Sequence, residues 1–349
     1  MENIVKKGKK VAILGAGNVG ASIAFTLALK GLCSEMVLID INKDKAKGEA
    51  MDIMQGTAFC PSIEIKNGDY PDAVDSDLVI ITVGIARKPG QTRIDLCKTN
   101  AKIMASVMPE ITKYAPNANY IVVSNPVDVL TYEAIQVSGL SPKQVMGSGT
   151  VLDSARLRTC LADHAGVNVK NIHAFVFGEH GDSSMIPWSL ATIGGMSFDA
   201  YCKAVEDLGD KDAIQQEVRA GGAEVIKCKG ATYYAIALSV SQIAEAILRD
   251  TQAVLTVSTL MDGSRYGMKD VCLSLPCVVG ANGIERELTP ILTAEEEAAV
   301  QKSAAALGRI SHSACSITRF CKVCAVSSED TVTAFCKIMG PPSQTSFTK

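Results

Sequence analysis

The sequence predicts an α/β fold: an N-terminal Rossmann-type parallel sheet followed by a C-terminal α+β substrate domain. Three observations carry this. Short, nearly all-apolar runs at residues 11–14, 36–40, 78–83 and 120–124 alternate with helical patterns through about the first 145 residues. A glycine-rich turn, Gly15-Ala16-Gly17-Asn18-Val19-Gly20, ends the first run and opens the first helix. Beyond residue 145 the regular alternation lapses. Strands that are apolar on both faces belong to a sheet covered by helices on both sides.

The elements follow in order. Residues 11–14 read as a strand, and a helical pattern runs from the glycine turn through Lys30. Residues 36–40 are a second strand, and 43–59 a helix. Residues 78–83 are a third strand, followed by a polar loop over 84–93. Residues 94–114 read as helix, 120–124 as strand and 127–137 as helix. In the second half, 151–164 reads as helix and 172–177 as a buried strand. Long helices are expected over 212–229 and 232–249, and short strands within 255–260 and 271–279. Residues 294–310 form an amphipathic, alanine-rich pattern, and Glu295-Glu296-Glu297 suits the N-terminal end of a helix dipole. The division is therefore 1–145, 146–311, and a tail over 312–349 without clean periodicity, expected to be poorly ordered.

A length of 349 residues suits about two domains, each with its own core. A net charge of −3 leaves neither a nucleic-acid footprint nor a polybasic membrane patch. No apolar run approaches the length of a bilayer span, and residues 1–10 do not read as a secretory signal. Twelve scattered cysteines in such a chain read as reduced thiols, which points to the cytoplasm. Cys321-x-x-Cys324 has the spacing of half a zinc site, but no second tight pair accompanies it, so no metal is assigned.

The glycine turn has the context that gives its motif meaning: a strand before it, a helix after it, and an acid, Asp40, about 20 residues on at the end of the next strand. Gly15 allows the tight turn, Gly17 lets backbone approach a pyrophosphate, and Gly20 lets the helix pack close to the sheet. Asn18 and Val19 complete the turn, at a helix N-terminus whose unpaired N–H groups suit phosphates. Asp40 would accept hydrogen bonds from ribose hydroxyls and repel a 2′-phosphate, which favours NAD over NADP.

Four further segments carry candidate chemistry. His180, in Gly178-Glu179-His180-Gly181-Asp182, follows the buried strand at 172–177. Asp153 and Arg156 lie three apart on one helix face, where an ordinary ion pair is the alternative reading. Asn125-Pro126 ends a parallel strand, at the sheet edge where α/β ligands bind. The loop Arg87-Lys88-Pro89-Gly90-Gln91-Thr92-Arg93 joins a strand to a helix, and could equally be a solvated basic loop.

Together these residues closely resemble the L-lactate/L-malate dehydrogenase family, from about Val11 to Ile310, most specifically at 15–20, 87–96, 124–128, 147–158 and 178–184. The resemblance implies an NAD-dependent 2-hydroxy-acid dehydrogenase acting on a small keto or hydroxy acid, and a homotetramer. It implies that His180 is the general acid and that Asp153 orients it and raises its pKa. It implies that Arg156 binds the substrate carboxylate and that Arg93, on a closing loop, polarises the carbonyl. Asn125 would fix the carbonyl oxygen or nicotinamide edge, and Ile236 would pack against the nicotinamide ring.

The resemblance divides over substrate. At the position of Arg87, six before Arg93, lactate enzymes usually carry glutamine and malate enzymes arginine. An arginine facing a methyl group would be a buried charge without a partner. Thr232 matches a pocket position that is threonine in lactate enzymes, and residues 123–131, 147–158 and 173–188 are more like bacterial lactate dehydrogenases. Arg158 and His173 match the positions that bind fructose 1,6-bisphosphate in allosteric members; two unrelated polar residues at a subunit interface are the other reading. On a mobile loop Arg87 can turn outward, so the balance favours lactate, with malate as the alternative. A non-catalytic NAD-binding scaffold is the remaining one, since fold alone never proves activity.

Overall fold

The computed structural model of the protein describes residues 8–85, 93–205 and 207–321, with backbone alone at residue 93 and over 310–321. The first half alternates strand and helix: β1 (Lys10–Leu14), α1 (Asn18–Lys30), β2 (Glu35–Ile39), α2 (Lys43–Gln55), β3 (Glu64–Gly68), β4 (Leu78–Ile81), α3 (Arg93–Thr112), β5 (Asn119–Val122), α4 (Val127–Ser138) and β6 (Val145–Gly147). Then come α5 (Val151–His164), β7 (Ile172–His173), β8 (Thr192–Ile193), β9 (Met196–Ser197), α6 (Phe198–Ala204), α7 (Lys211–Lys229) and α8 (Tyr234–Arg249). The last elements are β10 (Ala253–Leu255), β11 (Ser258–Asp262), β12 (Lys269–Ser274), β13 (Cys277–Gly280), β14 (Gly283–Glu287) and α9 (Ala294–Cys321).

Six parallel strands lie in the order β3-β2-β1-β4-β5-β6, the dinucleotide-fold order whose direction reverses between β1 and β4. The sheet does not stop there. β11 pairs antiparallel with β6 and β12 with β11, giving eight strands in one sheet. Side-chain alternation sorts β1 between two cores. Val11 and Ile13 pack with Ile23, Leu27, Val240 and Ile243 of α1 and α8. Ala12 and Leu14 face the other way, toward Met104, Met108, Leu130 and Val300 of α3, α4 and α9. A third core, including Leu157, Leu161, Ile172, Phe198, Ile214 and Val218, holds α5, α6 and α7 to the small sheet β7-β8-β9.

Several elements differ from the sequence reading. Only Ile172–His173 of the expected 172–177 strand pairs as strand, and Phe177 makes an isolated bridge to Met185. The expected helix over 43–59 changes to a 3₁₀ turn at Gly56. The runs at 255–260 and 271–279 are each cut in two: β10 and β13 form a small sheet with β14, while β11 and β12 join the large one. The tail is helical as far as Cys321, so the regular structure lasts beyond Ile310. Val300, Ala304 and Leu307, buried against the sheet, anchor that helix. Cys324 lies outside the described residues. β3, β6, β8, β9, α6 and β14 had no sequence signal strong enough to read; β3, Glu-Ile-Lys-Asn-Gly, is an edge strand with one buried position. Cys33, Cys60, Cys97, Cys160, Cys202, Cys228, Cys272 and Cys277 are free thiols. Among the described residues no helix is long and apolar enough to cross a membrane.

Candidate active site

Two groups of residues meet at the C-terminal edge of the parallel sheet. The first is the glycine turn after β1. Gly15 has φ +101°, and a Cβ there would stand 2.5 Å from Thr82 Oγ1. A Cβ on Gly20 would fall 1.9 Å from the Gly15 carbonyl oxygen, so the helix can reach the turn only as glycine. At Gly17 the opposite holds: nothing lies within 4 Å of an added Cβ, so this backbone faces open space. α1 starts there with no side-chain cap and no acid in its first turn. Its N-terminal N–H groups and positive dipole end, around Asn18 and Val19, are therefore available to an anion. Asp40, at the end of β2, accepts the Ala16 N–H at 2.7 Å through one oxygen and the Asn42 N–H at 2.8 Å through the other. Each oxygen has a further lone pair for a ribose hydroxyl. An open backbone, an uncapped helix start and a fixed carboxylate fit the pyrophosphate and ribose of a dinucleotide.

The second group surrounds His180. Thr150, just before α5, donates its hydroxyl to the Val176 carbonyl, and Ser154 accepts the Val176 N–H at 2.9 Å. The segment leading to His180 is thereby fastened along the first turn of α5. His180 Nδ1 then lies 2.5 Å from Asp153 Oδ2, and Arg156 donates to Asp153 Oδ1 at 2.8 Å. The backbone of the turn is held from three sides. Gly178 exchanges two hydrogen bonds with Ser274 of β12, at 2.9 and 3.0 Å. The Glu179 N–H goes to Ser303 of α9 at 2.9 Å, and the His180 N–H to Asp128 of α4 at 2.8 Å. Asp128 also accepts from Ser258 of β11 at 2.6 Å.

The electrostatics follow from this burial. Desolvation pushes the His180 pKa down, but the Asp153 charge and hydrogen bond, with Asp128 behind them, hold it above the usual histidine value. Desolvation raises Asp153, and His180 and Arg156 together overcome it and keep that carboxyl below the usual range. Asp128, wholly buried, is pushed up to about 6 by desolvation, against its hydrogen bonds from Ser258 and the His180 backbone. His180 thus has Nδ1 committed to a carboxylate, leaving Nε2 as the nitrogen able to exchange a proton with a substrate.

Other predicted positions fall nearby or elsewhere. Asn125 follows β5; its carbonyl accepts from Asn100 Nδ2 at 2.8 Å. Asn100 also accepts the Ile85 N–H at 2.9 Å, joining the segment after β4 to the Asn125 corner. Ile236, on α8, packs with Val19 of α1 against one core. Thr232 lies half-buried in the turn between α7 and α8. Arg158 donates through Nε to the Ala174 carbonyl at 3.1 Å, beside exposed His173. Arg87 and the side chain of Arg93 lie outside the described residues. Thr150, Asp128, Asn100, Ser258, Ser274 and Ser303 were missed; of these Asp128 and Thr150 stood inside segments the sequence had marked, 124–128 and 147–158.

Residues 9–147 match the lactate/malate dehydrogenase NAD binding domain, and residues 150–316 match the lactate/malate dehydrogenase alpha/beta C-terminal domain. The chain belongs to the lactate/malate dehydrogenase family. Within this family it is 48% identical to the L-lactate dehydrogenase of Clostridium perfringens (strain SM101 / Type A) over 314 residues, 89% of this chain and 99% of that one. It is also 48% identical to the L-lactate dehydrogenase of Acetivibrio thermocellus over 305 residues, 86% of this chain and 96% of that one. Two solved structures are similar. A lactate dehydrogenase from a Medee basin deep-sea metagenome library superposes with a TM-score of 0.85 at 38% identity, covering 88% of this chain and 99% of that one. The minor L-lactate dehydrogenase of Enterococcus mundtii superposes with a TM-score of 0.83 at 38% identity, covering 87% and 97%. As in its family, the chain takes NAD as its cofactor.

Proposed function

We propose that this chain is an NAD-dependent L-lactate dehydrogenase interconverting pyruvate and L-lactate. The observation that carries this is the hydrogen-bonded row His180–Asp153–Arg156, with distances of 2.5 and 2.8 Å. It sets a proton carrier beside a guanidinium that can grip a carboxylate, as reduction of a 2-keto acid requires. NAD, when bound at the 15–20 turn, supplies or accepts the hydride.

In reduction His180 gives its Nε2 proton to the keto oxygen, and in oxidation it takes the proton back from the hydroxyl. Asp153 keeps the ring oriented and stabilises its charged form. Arg156 holds the carboxylate with parallel N–H donors, fixing the carbonyl carbon relative to His180. Arg93 polarises the carbonyl as its loop closes and excludes water. Asn125 fixes the carbonyl oxygen or nicotinamide edge, Ile236 packs on the nicotinamide ring, and Thr232 limits the room beyond the keto group. The work divides near residue 145 between the NAD-binding part and the substrate part.

The names carried by relatives 48% identical over most of their length support pyruvate. Arg87 favours oxaloacetate instead, as a malate dehydrogenase would. NADH oxidation with pyruvate and with oxaloacetate decides between them by kcat/KM. A preference of tenfold or more for oxaloacetate, about 1.4 kcal/mol at the transition state, would replace the lactate reading. Absence of turnover on either acid would leave an NAD-binding scaffold.

The finer reading is a cytoplasmic homotetramer activated by fructose 1,6-bisphosphate. Arg158 and His173 share one patch, Arg158 being bonded beside His173 and 5.6 Å over the Phe175 ring. Across a two-fold axis such a patch would double into a phosphate-binding cluster. Pyruvate saturation unchanged by millimolar effector would remove the allosteric part, and light scattering tests the tetramer.

A further inference from the structure

The far end of α5 carries a second set of ligating side chains. Cys160 and His164 are four residues apart, so they stand on one face, a turn from each other. Glu217 meets them from α7. A cysteine sulfur, a histidine nitrogen and a carboxylate oxygen from these three lie within 4.8 Å of one another. His164 Nε2 is 3.5 Å from Glu217 Oε2.

The orientation of His164 is the second observation. Its Nδ1 lies 3.1 Å from the carbonyl oxygen of Leu208, in the segment entering α7. A carbonyl can only accept, so Nδ1 bears a proton, and Nε2, 3.5 Å from Glu217, is the nitrogen left to coordinate. Metal-bound histidines are held in this way, by a backbone carbonyl on the nitrogen that does not coordinate.

We propose that Cys160, His164 and Glu217 bind one divalent zinc-class cation per chain, with water as the fourth ligand. Thiolate and imidazole select zinc over magnesium or calcium, and one carboxylate completes a mixed set of a kind zinc accepts. Ligands about 2.0–2.3 Å from a tetrahedral ion stand roughly 3.3–3.8 Å apart. Closing from at most 4.8 Å needs no more than about 1–1.5 Å of movement, within reach of exposed Glu217 and His164. As the metal–sulfur bond forms, the S–H bond breaks and its proton passes to solvent.

Such an ion would clamp α5 to α7. The clamp lies apart from the dinucleotide turn, but both helices bear on the substrate. α5 carries Asp153 and Arg156, and α7 presents Gly221 and Gly222 to the Arg156 side chain. The coordination itself does not depend on which 2-keto acid the enzyme reduces.

The test uses the full-length protein, reduced and freed of metal by chelation, and titrated with Co²⁺ and then Zn²⁺. The expected result is one equivalent of Co²⁺ per chain with a thiolate-to-cobalt charge-transfer band that Zn²⁺ abolishes. Cys160→Ser should lose the band, and His164→Gln and Glu217→Gln should each weaken Zn²⁺ binding at least tenfold. Zn²⁺ should raise the melting temperature of the parent chain and not of Cys160→Ser, whose metal-free melting reports its folding. Absence of a charge-transfer band, or a band of equal strength in Cys160→Ser, overturns the proposal and leaves an ordinary surface ion pair between His164 and Glu217.

Discussion

Asp128 accepts the backbone N–H of His180 at 2.8 Å, reaching it from the start of α4. Its other oxygen takes the Ser258 hydroxyl at 2.6 Å. One buried carboxylate thus ties the turn bearing the proton carrier to the helix after Asn125 and to the strand that extends the parallel sheet. Truncating it strands two buried donors, each costing about 1–3 kcal/mol. Asp128→Ala should reduce kcat by ten- to a hundredfold while NADH affinity, governed by the turn after β1, stays within twofold. Stopped-flow turnover and fluorescence titration of NADH check this. An unchanged kcat would mean that the Gly178 and Glu179 bonds alone hold the turn.

His180 and Asp153 set the pH dependence. Burial lowers the His180 pKa, and the Asp153 charge and hydrogen bond more than reverse that. Since the folded pKa is raised, the stability contributed by protonated His180 is fully present below the unfolded value and is lost as pH rises through the folded one. Reduction, which needs the protonated ring, should fall as pH rises through the folded value, and oxidation should rise. Asp153→Asn leaves burial dominant, so the fall in reduction should move to lower pH. kcat/KM profiles of both enzymes measure the shift; a profile unmoved by Asp153→Asn would assign the titration to another group. Asp128 adds to the trend: its carboxyl is raised to about 6, so the stability it contributes is present below the ordinary carboxyl value and is lost as pH rises from there to about 6.

Arg156 is bound to Asp153 through one terminal nitrogen, at 2.8 Å. The remaining donors of its planar fork can meet a carboxylate side by side, which a lysine ammonium cannot. Arg156→Lys should lower kcat/KM for pyruvate by roughly a hundredfold, or about 2.7 kcal/mol. The loss should fall mainly on KM if the pair forms equally in ground and transition states. Initial-rate kinetics over a wide pyruvate range separate the two parameters. Retention of near-parental kcat/KM would place the carboxylate elsewhere.

The parallel half of the fold was legible because its strands announce themselves. β1 is buried at every position, and the glycine turn after it has a steric reason at Gly15 and Gly20 that any side chain would violate. The second half was harder, since its strands change partners within a few residues. The apolar run at 271–279 reads as one strand, yet Ser274 belongs to the large sheet and Cys277 to the small one. Of the site, the sequence showed Asp153, Arg156 and His180, because motif segments carried them. It could not show Ser274 and Ser303 as supports of the His180 turn, for a serine gains that role only from a partner about a hundred residues away. Cys160 and His164 were silent for the same reason: the sequence had no sign that Glu217 would face them.

Gly222 lies inside α7, where glycine weakens a helix by about 0.5–1 kcal/mol relative to alanine. Its surroundings explain why it is there. A Cβ on Gly222 would stand 3.3 Å from Arg156 Nη2, and one on Gly221 3.6 Å from Arg156 Cδ. The first spacing is tight, so the guanidinium would have to move by a few tenths of an ångström; the second is ordinary contact. Gly222→Ala should therefore act in two opposed ways. The helix gains intrinsic stability, and the melting temperature should rise by about 1–3 °C for a chain of this size. The displaced guanidinium grips the carboxylate less well, so KM for pyruvate should increase several-fold with kcat little changed. Gly221→Ala should give the stability without the kinetic cost. Calorimetry and initial-rate kinetics on the two variants distinguish these effects, and equal KM values for both would show that the space beside Arg156 has no part in holding the substrate.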